Sequence, residues 1–419
     1  MAVTRIDVEA FVSLSKIHPV IDVRSEGEYQ HAHLPNAYSL PLFNNEERKV
    51  VGTAYKQQSR EAAIKIGLDF FGKKMRAMVE EVEKLIDERR KMERKNTDGQ
   101  SENFNFKTIL IHCWRGGMRS GAVAWLLDMY GFKVFSLSGG YKAFRNWVLK
   151  QFEKEYKFYI LGGYTGSGKT YVLHELKNRG EKIIDIEFLA GHKGSAFGNI
   201  AFKTQPSQEM FENMLAVELG GVDDRCQMTN DGKEDDRKED NRVQITDDKE
   251  SEAPQTTNHK FQTTSCHPSS VNRQLSTRIW LEDESQRIGL VNIPNALWKT
   301  MRRQPVYFLD IEFEERLQHI VTEYGRADRE KLVNAILRIQ KRLGGLETKT
   351  AINFLVENDI TNCFRILLSY YDKQYLKALN NRETDAPLIT KIECRKVDAK
   401  ENAKAVIALS KQIINDRRD

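Results

Sequence analysis

Nine residues, H-C-W-R-G-G-M-R-S (112–120), are better suited to chemistry than to packing. They follow the apolar run T-I-L-I (108–111), read as a strand, and lead into a helix expected from near Ser120 to about Tyr130. Cys113 is thus expected over a helix N-terminus, where unpaired amides and the macrodipole favour an anion. Arg115 and Arg119 add positive charge, so the thiol should ionise at neutral pH and act as a nucleophile. Gly116 and Gly117 let the backbone curl into an anion nest, with Trp114, Met118 and Ser120 completing the loop. An inert buried cysteine beside a turn would account for neither the arginines nor the paired glycines. Trp114 is read as packing against the loop, with stacking on a substrate base as the alternative.

A second constellation is G-G-Y-T-G-S-G-K-T (162–170), which holds the full G-x-x-x-x-G-K-[ST] pattern from Gly163 to Thr170. It lies between the apolar K-F-Y-I-L (157–161) and the helical T-Y-V-L-H-E-L-K, the context such a phosphate loop needs. Amides from Gly163, Thr165, Gly166, Ser167 and Gly168 would surround a di- or triphosphate. Lys169 would neutralise its charge, and Thr170 could reach Mg²⁺. After the strand at 278–281, W-L-E-D-E-S offers Glu282, Asp283 and Glu284 as acids for that ion, and Asp185 is a weaker candidate. A helix start rich in acids explains Glu282–Glu284 equally well. No residue set is assigned as a metal site from sequence.

The elements that must position these loops alternate strand and helix. Strands are expected at 20–24, 39–42, 108–112, 133–137, 157–161, 182–186, 278–281 and 306–309, with a long amphipathic helix over roughly 60–92. This is an α/β chain with parallel sheets. Three parts are read: residues 1–150, a phosphate-loop domain over 151–326, and a helical C-terminal region over 327–419. Residues 220–276 hold twelve Asp/Glu against eight Lys/Arg, and 221–260 contain no Phe, Trp or Tyr, so 221–276 is read as a disordered insertion. The rest of the chain is basic, which suits a polyanionic partner as well as a plain solvated surface. The clusters at 302–304 and 341–342 are candidates for phosphate contacts. The five cysteines are widely spaced and contain no C-x-x-C pair, which argues against a disulfide framework or a zinc site. No apolar run approaches the roughly 18–20 residues of a membrane span. Asp7 and Glu9 are unlike a leader peptide, so a cytoplasmic location is expected.

D-V-R-S-E-G-E-Y-x-x-A-H-L-P-N-A (22–37), the cysteine loop and L-S-G-G-Y-K-A-F-R (137–145) together resemble a rhodanese domain. That resemblance implies a cysteine carrying sulfur or selenium, with Asp22 and Arg24 architectural. Five residues separate Cys113 from Arg119, one more than in simple rhodaneses. That spacing is also that of a phosphatase loop in a related fold, so phosphate-ester cleavage stays open from the loop alone. Adding the phosphate loop, F-G (197–198), Q-P-S-Q-E-M-F-E-N (205–213), W-L-E-D-E-S-Q-R-I-G (280–289), K-R-L-G-G (341–345) and Y-Y-D-K-Q-Y (370–375), the chain resembles the tRNA 2-selenouridine synthase family. The resemblance implies a rhodanese-like parallel-sheet domain followed by a phosphate-loop NTPase-like α/β domain. It also implies replacement of the sulfur of 2-thiouridine at the wobble position of tRNA by selenium. Geranyl diphosphate and selenophosphate would be co-substrates, and an S-geranyl tRNA the intermediate. Cys113 would carry selenium as a selenopersulfide, with Arg115, Arg119 and the loop amides stabilising its charge. Two other readings remain. One is a sulfurtransferase or phosphatase joined to a nucleotide-binding module, the other a phosphate-loop module whose cysteine senses oxidants.

Overall fold

The computed structural model describes residues 3–96, 107–194, 197, 204–220, 278–380, 382 and 389–415. The acidic insertion expected at 221–276 lies outside the described residues, except that its flanks end at Gly220 and resume at Arg278. Among the described residues no helix is long and apolar enough to cross a membrane.

The N-terminal part carries β1 (Thr4–Ile6), β2 (Val20–Asp22), β3 (Ala37–Ser39), β4 (Thr108–His112) and β5 (Lys133–Leu137). All pair in parallel in the order β1-β5-β4-β2-β3. Parallel strands need crossovers on both faces. These are α1 (Val8–Ser15), α2 (Glu26–His31), α3 (Asn45–Gln57), α4 (Arg60–Asn96), α5 (Met118–Tyr130) and α6 (Gly140–Gln151). In α4 the buried residues Phe71, Met78, Val79, Val82 and Ile86 recur at helical spacing and close over Ile109, Ile111 and Val123. The core thus holds β4, at whose end the cysteine loop begins.

The second part carries β6 (Phe158–Gly163), β7 (Lys182–Ile183), β8 (Ile279–Glu282), β9 (Arg287–Ile288), β10 (Val291–Asn292), β11 (Val306–Ile311) and β12 (Ile389–Cys394). Five of them form a parallel sheet in the order β12-β11-β6-β8-β7, while β9 and β10 make an antiparallel hairpin. Its helices are α7 (Lys169–Asn178), α8 (Ile186–Ala190), α9 (Gln208–Gly220), α10 (Asn295–Arg302) and α11 (Phe313–Tyr324). Then come α12 (Arg329–Leu343), α13 (Gly345–Val356), α14 (Ile360–Asn380) and α15 (Ala399–Asn415). The region beyond 327 is helical through α14, then sends β12 back to pair with β11 before α15 packs on the sheet. Strands β6 and β8 are central, so the phosphate loop and Glu282 leave neighbouring C-terminal edges of the sheet, where ligands of open α/β sheets bind.

Candidate active site

Helix α5 begins at Met118, two residues earlier than its sequence suggests, because Gly117 serves as the N-cap. Cys113 is buried, and its Sγ lies 3.2 Å from the Ser120 hydroxyl. Burial pushes the thiol up, but the Ser120 hydroxyl and amide, with the amides of Arg115 and Gly117, outweigh it and hold the thiol below its usual value. The arginines are placed differently from one another. Arg119 Nη1 donates to Glu28 Oε2 at 3.0 Å, and Arg48 meets the same oxygen at 2.9 Å. Burial works against the Glu28 carboxylate, yet Arg119 holds it below its usual range. The exposed Arg115 guanidinium has no partner among the described residues. Met118 is exposed; Trp114 is partly so and packs 5.6 Å from the Tyr141 ring, the packing role expected for it.

A second loop, S-G-G (138–140), braces the first. Tyr141 and Lys142 amides donate to the carbonyls of Cys113 (2.8 Å) and Trp114 (3.0 Å). Gly140 has φ +60°, and a Cβ there would lie 2.4 Å from the Cys113 oxygen. Behind the loops Asp22 and Arg24 form a buried bidentate pair. The guanidinium lies 3.8 Å over the Tyr141 ring. Buried His112 has its pKa lowered, chiefly by burial.

In the phosphate loop Gly166 has φ +81° and passes so close to α11 that a Cβ would lie 2.8 Å from Ile320 Cδ1. Arg316, also on α11, donates to the Thr165 carbonyl (3.0 Å) and forms a bidentate pair with Asp372. Lys169 Nζ folds back on the Gly163 carbonyl at 3.0 Å, and Ser167 is wholly buried with no partner for its hydroxyl. Thr170 Oγ1 lies 3.4 Å from Glu187.

Of the four candidate acids, two converge. Glu282 and Glu284 meet Glu187, with ligand oxygens within 4.8 Å of one another. Burial, then Glu187 and Asp185, push Glu282 up to about 8, and both its oxygens lack a partner. Burial first and the neighbouring acids second also raise Glu187 and Glu284. Asp185 instead caps α8 through the Phe188 amide (2.8 Å) and pairs with His174 (2.7 Å). Asp283 accepts from the Tyr375 hydroxyl (2.8 Å) and pairs with Arg382. Tyr375 in turn accepts from the Gly163 amide (3.3 Å). Sequence reasoning gave no role to Glu187, Arg316 or Tyr375; Glu187 left a signal as an acid two residues past Asp185 after a strand, and Tyr375 ends the Y-Y-D-K-Q-Y motif.

Gly166, Lys169, Thr170 and the three carboxylates open into a cavity of about 730 Å³. From the phosphate loop it runs along α14, where Tyr375, Tyr371, Leu368, Leu367 and Phe364 recur at helical spacing on its wall. Phe197 closes that end, its ring 5.9 Å from Phe364 and 6.2 Å from Tyr324. One polar, phosphate-shaped region thus adjoins a deep aromatic and aliphatic one.

Comparison with known proteins yields two family matches. Residues 7–146 match the rhodanese-like domain, and residues 156–230 and 250–401 match the domain described as tRNA 2-selenouridine synthase AAA domain. Similar proteins named tRNA 2-selenouridine synthase include one from Sulfurovum sp., 29% identical over 385 residues, covering 85% of this chain and 86% of that one. Another, from Nitrosomonas europaea, is 28% identical over 418 residues, covering 88% and 90%. A third, from Serratia proteamaculans, is 32% identical over 309 residues, covering 73% and 64%.

Proposed function

Because this chain belongs to the tRNA 2-selenouridine synthase family, we propose that it is a tRNA-modifying enzyme. It converts wobble 2-thiouridine to 2-selenouridine through an S-geranylated intermediate. The observation that carries this reading is the cavity, whose phosphate end suits a diphosphate and whose aromatic end suits a branched hydrocarbon. A nucleoside triphosphate would leave that apolar end poorly used; geranyl diphosphate matches both.

In the first step the tRNA sulfur attacks C1 of the geranyl group, the C1–O bond breaks, diphosphate leaves with the electron pair, and the N3 proton of the base is lost to solvent. Lys169 and the loop amides stabilise that leaving charge. Three carboxylates beside a diphosphate would repel it, and Glu282 has both oxygens unpartnered in a buried position. A hard divalent cation such as Mg²⁺ fits this donor set of Glu187, Glu282 and Glu284. It would supply charge neutralisation for the diphosphate. In the second step water cleaves the P–Se bond of selenophosphate to give phosphate and the hydrogen selenide anion. This attacks C2 of the base, the C2–S bond breaks, the geranylthiolate leaves with its electron pair, and the selenium's proton passes to N3. A thioether is a better leaving group than a thiocarbonyl sulfur, which gives the alkylation its purpose. The Ser120 hydroxyl and the amides that lower the Cys113 thiol would hold the selenide anion beside its sulfur, with Arg115 at the loop's open side.

The test is mass analysis of nucleosides from 2-thiouridine-containing tRNA incubated with the protein, geranyl diphosphate and selenophosphate, with omission controls. Cys113→Ala should accumulate S-geranyl-2-thiouridine without selenium. Lys169→Ala should lose geranylation by about 100-fold or more, the range for removing one preorganised charge-stabilising group. Unchanged tRNA in every reaction would sink the proposal.

A further inference from the structure

The cavity has a second end. Beyond Tyr375 its lining passes to Ala378 and Leu379 on α14 and to Trp298, Lys299 and Arg302 on α10. Arg302 Nη2 donates to the Ala378 carbonyl at 2.9 Å and its Nη1 lies 4.0 Å from Asp283 Oδ1, which fixes α10 beside the phosphate-loop edge of the sheet. With a rise of about 1.5 Å per residue, Ala378 lies roughly 20 Å along α14 from Phe364, with Tyr375 and the phosphate loop between them. The two ends differ in chemistry. Around Phe364 the wall is aromatic and aliphatic, whereas at α10 a tryptophan is flanked by cations. The Arg302 guanidinium lies 5.6 Å from the Trp298 ring centroid. The indole Nε1–H is buried without an acceptor among the described residues, while the ring itself lines the cavity. Lys299 is exposed and has no ion-pair partner among the described residues, and Arg303 follows at the exposed end of the helix.

We propose that this end is the acceptor subsite, where the target uridine of tRNA enters. Its base stacks on Trp298, and Lys299 meets a flanking phosphate. The inference rests on the geranyl-transfer reading for its direction. With the diphosphate on the phosphate loop and the hydrocarbon toward Phe364, the remaining open arm is the one through which a sulfur nucleophile reaches C1. Base stacking on an indole combined with cationic contacts to the backbone is how single-stranded nucleotides are held.

The full chain is irradiated with tRNA carrying 5-iodouridine at the wobble position, and the cross-linked peptides are mapped by mass spectrometry. The expected cross-link is on Trp298, lost in Trp298→Ala. In parallel, kcat/KM for 2-thiouridine-containing tRNA should fall roughly 10- to 100-fold in Trp298→Ala and recover largely in Trp298→Phe. Affinity for geranyl diphosphate should change by less than about twofold, since no stacking partner of the donor is removed. Trp298→Phe retains an aromatic ring and separates a lost stack from a lost fold. A cross-link on Trp114 with unchanged Trp298→Ala kinetics would overturn the subsite. So would a Trp298→Ala loss of geranyl diphosphate affinity as large as the loss toward tRNA. A cross-link on Trp298 in a protein that transfers no geranyl group would leave the subsite standing and remove the donor reading instead.

Discussion

Burial works against a thiolate at Cys113, while Ser120 and two loop amides work for it more strongly. The sequence expected the Cys113 thiol to be lowered by loop amides, as it is, but it assigned part of the effect to Arg119, whose guanidinium is held by Glu28. That partner is far away in the chain, so no local pattern could reveal it. The alkylation rate of Cys113 should rise with pH through a midpoint below the ordinary thiol value of 9.0, and Ser120→Ala should move that midpoint upward. Stability follows the same sign: the contribution is fully present above pH 9.0 and is lost as pH falls through the lowered folded pKa. At the other site Glu282 was named from its place after a strand, and Glu187 was not, because only the pairing of β7 with β8 brings the start of α8 near it. If the three acids hold Mg²⁺, a hundredfold excess of the ion over its Kd should stabilise the chain by about 2–3 kcal/mol in thermal melts. Glu282→Gln should remove most of that gain.

Each loop is held by an element that its own sequence does not name. The cysteine loop leans on 138–140, where Gly140 at φ +60° passes so near the Cys113 carbonyl that a side chain cannot fit. Gly140→Ala should cost about 1–3 kcal/mol in denaturant unfolding and raise the Cys113 alkylation midpoint as the loop shifts. The phosphate loop leans on α11 and α14 through Arg316, Asp372 and Tyr375. Arg316→Met would leave the Asp372 carboxylate without its partner, at about 2–4 kcal/mol, and should also weaken diphosphate binding by loosening the Thr165 carbonyl. Of the strands, β4, β5 and β8 were legible from apolar runs. β1, three residues of mixed character, and β12, with its exposed alternate residues, were not. Both are edge strands whose pairing supplies what their composition lacks.

At the scale of the molecule, the Q-P-S-Q-E-M-F-E-N segment joins the two sheets. Gln205 and Gln208 bond the β9–β10 hairpin, while Glu209, Glu212 and Asn213 on α9 face the N-terminal part. Asn213 is fully buried; it accepts from Arg145 at 2.9 Å and donates to the Tyr141 hydroxyl and the His33 carbonyl at 2.8 and 2.9 Å. Tyr141 also braces the cysteine loop through its amide, so one residue touches both the joint and the Cys113 backbone. Asn213→Leu should cost about 1–3 kcal/mol by removing three hydrogen bonds of a buried side chain, the Tyr141 hydroxyl and Arg145 keeping Glu209 and Glu212, and calorimetry should then resolve two transitions where the parent shows closer coupling. The sequence alone determined the two reactive loops and the parallel α/β class, because backbone loops of this kind require glycines, a cysteine or a lysine at set spacing after an apolar strand. Tertiary structure alone decided which acids converge, what holds Arg119, and that an aromatic arm and a cationic arm extend from the same phosphate loop. Those features are assembled from residues as distant as Glu187 and Tyr375, and proximity across a fold leaves no spacing in the chain to read.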